Sequence, residues 1–166
     1  MTPRKEKLKC NFVRQWLNKA EEDYSLAKHL VEEDASFYSA ISFHAQQAAE
    51  KYLKAFLVDR QIEFPKTHDL AGLQDLVSVG DKELADSLRE IIVLTSYGVD
   101  ARYPTDLPSI SCEEAGRAVE LATKVSTAIV LAISGTAKHQ SVRESPAPAY
   151  RTKRARPGAK GRARRR

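Results

Sequence analysis

Through its first 134 positions the chain places hydrophobic residues three and four apart, the period of amphipathic helices rather than of strands. From Asn11 to about Glu33 the residues Phe12, Trp16, Ala20, Tyr24, Ala27 and Val31 fall on one face, which predicts a long first helix. A second helix is expected from about Ser36 to Arg60, ended by Phe64-Pro65, because the residue before a proline is driven out of the helical region. Thr67 offers an N-cap for a short helix from His68 to Val79 that stops near Gly80. Asp81 caps a further helix carrying Leu84, Leu88, Ile91, Ile92 and Thr95 on to about Tyr97, where Gly98 breaks the pattern. Ser111-Cys-Glu-Glu114 has the form of a capping box and opens a last helix through Ala115, Ala118, Val119, Ala122, Val125, Ile129 and Ile133, with Gly135 as its stop. The expected fold is therefore all-α: an antiparallel up-and-down bundle of four long helices plus one short helix over residues 11–134.

The second of these helices departs from simple amphipathicity. Ile41, Ala45, Ala48, Tyr52, Ala55 and Phe56 form one apolar face, and Phe43, Leu53 and Leu57 extend burial around most of the circumference, as suits the middle of a bundle. Against this background His44, Gln47, Lys51 and Lys54 stand at i, i+3, i+7 and i+10, a single polar stripe. Polar side chains on a buried helix need partners or a purpose.

Composition divides the chain in two. Residues 138–166 hold eleven Lys or Arg and one acid, Glu144, leaving sixteen bases and twenty-one acids for the rest, so the net charge of +5 hides an acidic body and a basic end. The segment 135–166, rich in Ser, Pro, Ala, Gly and Arg, has too little apolar surface to offset its ordering entropy and is expected to be a disordered basic tail. Its bases Arg151, Lys153, Arg154, Arg156, Arg162, Arg164, Arg165 and Arg166 suit nonspecific binding of nucleic acid or another polyanion; a solvated extension without a role is the competing account. Cys10 and Cys112 lie far apart with no metal spacing, which suits reduced thiols. With no apolar leader and no apolar run of membrane-spanning length apparent, a soluble cytoplasmic protein is expected, without membrane contact.

Four groups of residues bear chemistry. His44 either moves a proton or binds phosphate, or is a core histidine bonded to a neighbouring helix. Lys51 and Lys54 either hold phosphate, or snorkel over the bundle edge or pair with Glu50 and Asp23. Lys66, Thr67 and His68 open a helix, where backbone N–H groups favour an anion, unless Thr67 simply caps it. Tyr97, Arg102 and Tyr103 suit a base and its phosphate, or else the two rings anchor a loop. No paired carboxylates, glycine-rich phosphate loop or His–Cys–Asp spacing is present, so no metal, no cofactor and no catalytic residue is assigned.

Several of these segments together resemble the HEPN family of all-helical domains. Trp16-Leu-Asn-Lys-Ala-Glu-Glu-Asp23 is similar to its first helix, and Phe43-His-Ala-Gln-Gln-Ala-Ala-Glu-Lys-Tyr-Leu-Lys-Ala55 to its central one. Pro65-Lys-Thr-His-Asp-Leu70 and Tyr97-Gly-Val-Asp-Ala-Arg-Tyr-Pro104 are similar to the segments that follow, in the same order. The resemblance spans roughly residues 11 to 134 and implies a homodimer that contacts a nucleotide or a minimal nucleotidyltransferase, as in some toxin–antitoxin pairs. It also implies similarity to the helical domain that completes the active site of kanamycin nucleotidyltransferase. Many family members are instead metal-independent RNases with an Arg closely followed by a His. Here none of the four His has that spacing, and Arg60 precedes His68 by seven intervening residues. The expectation is a noncatalytic partner protein whose nucleotide or phosphate site draws on His44, Gln47, Lys51, Lys54, Lys66, His68, Tyr97, Arg102 and Tyr103. The alternative is an RNA-cleaving toxin with a displaced His acting with Arg102.

Overall fold

A computed structural model of the chain describes residues 2–100 and 109–143, the side chains of 99–100 and 136–143 excepted. Among the described residues all regular structure is helical. The first helix, α1, spans Pro3–Glu32 and starts earlier than its apolar pattern suggests. Proline at its first position loses no helical hydrogen bond and presets φ, and Lys9 reaches the far end of the next helix, within 3.3 Å of the Asp59 carboxylate. The buried stripe of α1 is Val13, Ala20 and Ala27, flanked by half-buried Trp16, Leu17 and Tyr24, whereas Phe12 and Val31 are exposed. At 100° per residue Val13 lies only about 20° from Ala20, while Phe12 lies about 80° away, so repeated four-residue steps drift off the contact.

Helix α2, Tyr38–Arg60, is the centre of the molecule and packs against α1, the last helix and most of the short elements between them. Its alanines Ala45, Ala48, Ala49 and Ala55 are fully buried and allow close approach of Ala20 and Ala27. Gln61 in the left-handed region, φ 57°, terminates it, with Ile62 N–H returning to the Leu57 carbonyl. The stop therefore precedes Phe64-Pro65 and is a local C-cap.

Helix α3, Leu70–Gly80, is capped by Asp69 rather than Thr67: the Asp69 carboxylate accepts from Ala71 and Gly72 N–H, while the Thr67 hydroxyl accepts from Asp69 N–H. Asp81 caps α4, Lys82–Ser87, as expected. The fourth long helix is divided, however, into α4, a 3₁₀ segment Arg89–Thr95 and a single turn α5, Tyr97–Asp100. Leu88, Ile91 and Leu94 are all buried, and a three-residue spacing aligns on a 3₁₀ turn but drifts on an α-helix. The same geometry turns Ile92 and Val93 outward. Gly98 does not break this pattern; it sits inside the α5 turn against Gln46.

Helix α6, Cys112–Arg143, begins with the expected capping box, Glu114 N–H donating to the Ser111 hydroxyl at 3.2 Å and Ser111 N–H donating to the Glu114 carboxylate at 2.8 Å. It passes through Gly135 without ending there, so the first residues assigned to the tail continue the helix. Its stretch Cys112–Gly135 is long and apolar enough to cross a membrane by length and composition, contrary to expectation, yet Ala115, Ala118, Ala122, Val125 and Ile129 pack it into the core beside α2.

Candidate functional site

The polar stripe of α2 lies along its seam with α1, and the residues opposite it on α1 are complementary. His44 and Lys51, two helical turns apart, both reach Asp23 of α1. The Nδ1–H of His44 donates to Asp23 Oδ1 at 2.9 Å, and the Lys51 ammonium donates to Oδ2. All three side chains are about three-quarters or more covered. Because Nδ1 is held by the carboxylate, the remaining ring nitrogen, Nε2, is the one available to a ligand or a proton. The Asp23 carboxylate and the Lys51 ammonium offset one another, so the cluster carries little net charge.

One turn further along α2 a second carboxylate gathers a second set. Glu50, 3% exposed, accepts from Lys54 at 2.7 Å, from Gln46 at 3.1 Å and from His68 Nδ1 at 3.0 Å. Burial pushes the Glu50 carboxyl upward, but the hydrogen bonds from Lys54 and His68, the Lys54 charge and the Gln46 amide together hold it below its ordinary range. Lys54 is buried as well; it donates to the Thr67 carbonyl at 2.9 Å and faces the rings of Trp16 and Phe64 at 5.6 and 5.9 Å. This one ammonium ties the segment before α3 to both α1 and α2. Gln47 donates to Gln46 Oε1 at 2.8 Å, and Gln46 also reaches the His68 carbonyl at 3.4 Å.

The stripe therefore resolves into two carboxylate-centred clusters, His44–Asp23–Lys51 and His68–Glu50–Lys54, each with a histidine held through Nδ1. His68 is the more open, 56% exposed. Lys66 is exposed and makes no ion pair among the described residues. The N-terminus of α3 is occupied by the protein's own Asp69 carboxylate, so an anion there would compete with it. Tyr97 makes no hydrogen bond to either cluster; it is half-buried beside Glu114 and Arg117 of α6, where burial and the Glu114 charge keep its phenol protonated above the usual range. Arg102, Tyr103 and the tail bases Arg151, Lys153, Arg154, Arg156, Arg162, Arg164, Arg165 and Arg166 lie outside the described residues.

Sequence pattern alone draws attention to the cations and leaves their anchors among the competing accounts. Gln46 escapes it: the residue looks like one more core-facing position, and its amide lies where a Cβ added at Gly98 would come within 3.0 Å, which favours glycine there. Glu21, which accepts from the buried Tyr52 hydroxyl at 2.6 Å, escapes it too. No cluster of three or more His, Cys, Asp or Glu able to hold a metal occurs among the described residues.

Comparison with known proteins now fixes the class. The HEPN domain family matches residues 13–133, and the chain belongs to that family. Two solved structures share the fold. TT1696 from Thermus thermophilus is 25% identical with a TM-score of 0.54, covering 70% of this chain and 94% of its own. ST0689, an archaeal HEPN homologue, is 20% identical with a TM-score of 0.55, covering 73% of this chain and 97% of its own. No curated protein matches the chain.

Proposed function

We propose that this HEPN-domain protein is a noncatalytic binding module that partners a minimal nucleotidyltransferase as a homodimer and presents a nucleotide phosphate at the His44–Lys51 seam. The observation that carries the proposal is the shared Asp23 carboxylate, which fixes His44 through Nδ1 and leaves Nε2 to donate to a phosphate oxygen when protonated. Lys51 supplies the second donor. Asp23 offsets the Lys51 charge, which fits a module that holds a phosphate loosely while a transferase acts on it. Lys66 and His68, exposed at the far end of the stripe, extend the cationic line toward the partner. In a toxin–antitoxin pair the partner would act on the HEPN chain itself, and Tyr97, held protonated, would need a base from the transferase before it could accept a group.

Co-expression with a nucleotidyltransferase encoded in a neighbouring reading frame tests the pairing: the two chains should co-elute in size-exclusion chromatography. Separate elution, or cleavage of labelled RNA by the purified HEPN chain that is lost in His44→Ala, would refute the proposal.

A further inference from the structure

The start of α1 and the far end of the bundle enclose a groove separate from the polar stripe, about 260 Å³ in volume. Glu6, Lys9 and Cys10, on its α1 side, precede residue 13, where the family match begins. Its inner wall is apolar: Val13 and Leu17 of α1 face Ile133 of α6. Most charges around it are already matched. Lys9 bonds Glu6 at 3.1 Å and Asp59 at 3.3 Å, and Asp59 also binds Arg60.

Arg14 is different. It lines the groove, is exposed, and has no ion-pair or hydrogen-bond partner among the described residues; Asn18, one turn on along the same outer edge, likewise has a free amide. Arg14 and Asn18, at i and i+4, place side-chain N–H donors on one edge of an apolar trough. That pairing has a chemical complement: an apolar body with one terminal carboxylate, which the guanidinium can take bidentately. The volume falls just under the range of about 300–1,000 Å³ typical of drug-sized ligands, so the body must be small.

We infer that this groove binds a small amphipathic monoanion, an alkyl or aryl carboxylate, with its apolar part between Leu17 and Ile133 and its carboxylate on Arg14 and Asn18. Cys10 lines the same groove, exposed, and reports occupancy without taking part in it. The experiment measures the rate of Cys10 alkylation by iodoacetamide in full-length Cys112→Ser protein, with octanoate or octanol added. Octanoate should slow alkylation at concentrations roughly tenfold or more below those needed for octanol, because the neutral alcohol forfeits the charged hydrogen bonds. Arg14→Gln, with unchanged circular dichroism, should remove that difference. No protection by octanoate, equal protection by both compounds, or protection that survives Arg14→Gln would overturn the inference. So would protection that depends only on protein concentration, which would mean that a second copy covers the groove.

Discussion

Replacing Glu50 by Ala should strand the Lys54 ammonium, the most deeply buried cation among the described residues. Lys54 is 7% exposed in its side chain and would keep only the Thr67 carbonyl and the Trp16 and Phe64 rings, while His68 and Gln46 would each lose an acceptor. Breaking a buried pair from one side costs about 3–5 kcal/mol, because the remaining charge stays desolvated. With a urea slope of about 2 kcal/mol per M, the midpoint should fall by roughly 2 M. Urea titration followed by far-UV circular dichroism measures this. Glu50→Leu combined with Lys54→Met removes both charges and should recover at least about 2 kcal/mol relative to the sum of the single changes. The acid limb gives an independent readout. Since folding holds the Glu50 carboxyl below its ordinary range, its contribution is present above the unfolded pKa and is lost as pH falls through the folded one. Glu50→Gln should flatten that limb. A midpoint shift under about 0.5 M for Glu50→Ala, or a double variant no better than the sum of its parts, would refute the claim that Glu50 neutralises a buried ammonium.

Other perturbations follow from the same packing. Ser42 is fully buried and its hydroxyl has no hydrogen-bond partner among the described residues, so Ser42→Ala should raise unfolding free energy by about 1 kcal/mol in the same assay; a loss would reveal a bond to that hydroxyl. Gly98→Val should push the Gln46 amide off Glu50 and His68 and cost about 1–3 kcal/mol in thermal or urea unfolding, more than any gain from relieving a glycine. A chain ending at Arg143 keeps all of α6 and should unfold as cooperatively as the full chain, while its affinity for double-stranded DNA and the steepness of its salt dependence both fall, as read by fluorescence anisotropy across a salt series.

The three long helices were legible because their apolar residues keep a helical period, along one face in α1 and α6 and around most of the circumference in α2, and the capping residues Asp81 and Ser111 mark their helix starts through side-chain chemistry that acts within a few positions. The divided fourth helix was not legible: Leu84, Leu88, Ile91 and Ile92 satisfy an α-helical period on paper, and only packing of Leu88, Ile91 and Leu94 into the core selects the tighter turn. The early start of α1 leaves little trace because residues 3–10 carry almost no apolar signal and are held by Lys9 to Asp59, a contact fifty positions away in sequence. Within the candidate site, His44, Lys51 and Lys54 stood out as costly on a buried helix. Which carboxylate holds which cation is a property of how α1 lies across α2, and a linear sequence does not contain it. Asp69 likewise displaces Thr67 as a cap because its carboxylate reaches two amides and Thr67 bends the chain just before it.

His44 is held through Nδ1 by Asp23, and its Nε2 has no hydrogen-bond partner among the described residues. Long-range ¹H–¹⁵N correlation spectra of the imidazoles during titration with ATP examine that atom directly. His44 Nε2 should shift on binding, and Lys51→Met should weaken the response. A His44 signal unmoved by ATP while the protein stays folded, or a response identical in Lys51→Met, would contradict the proposed role of His44.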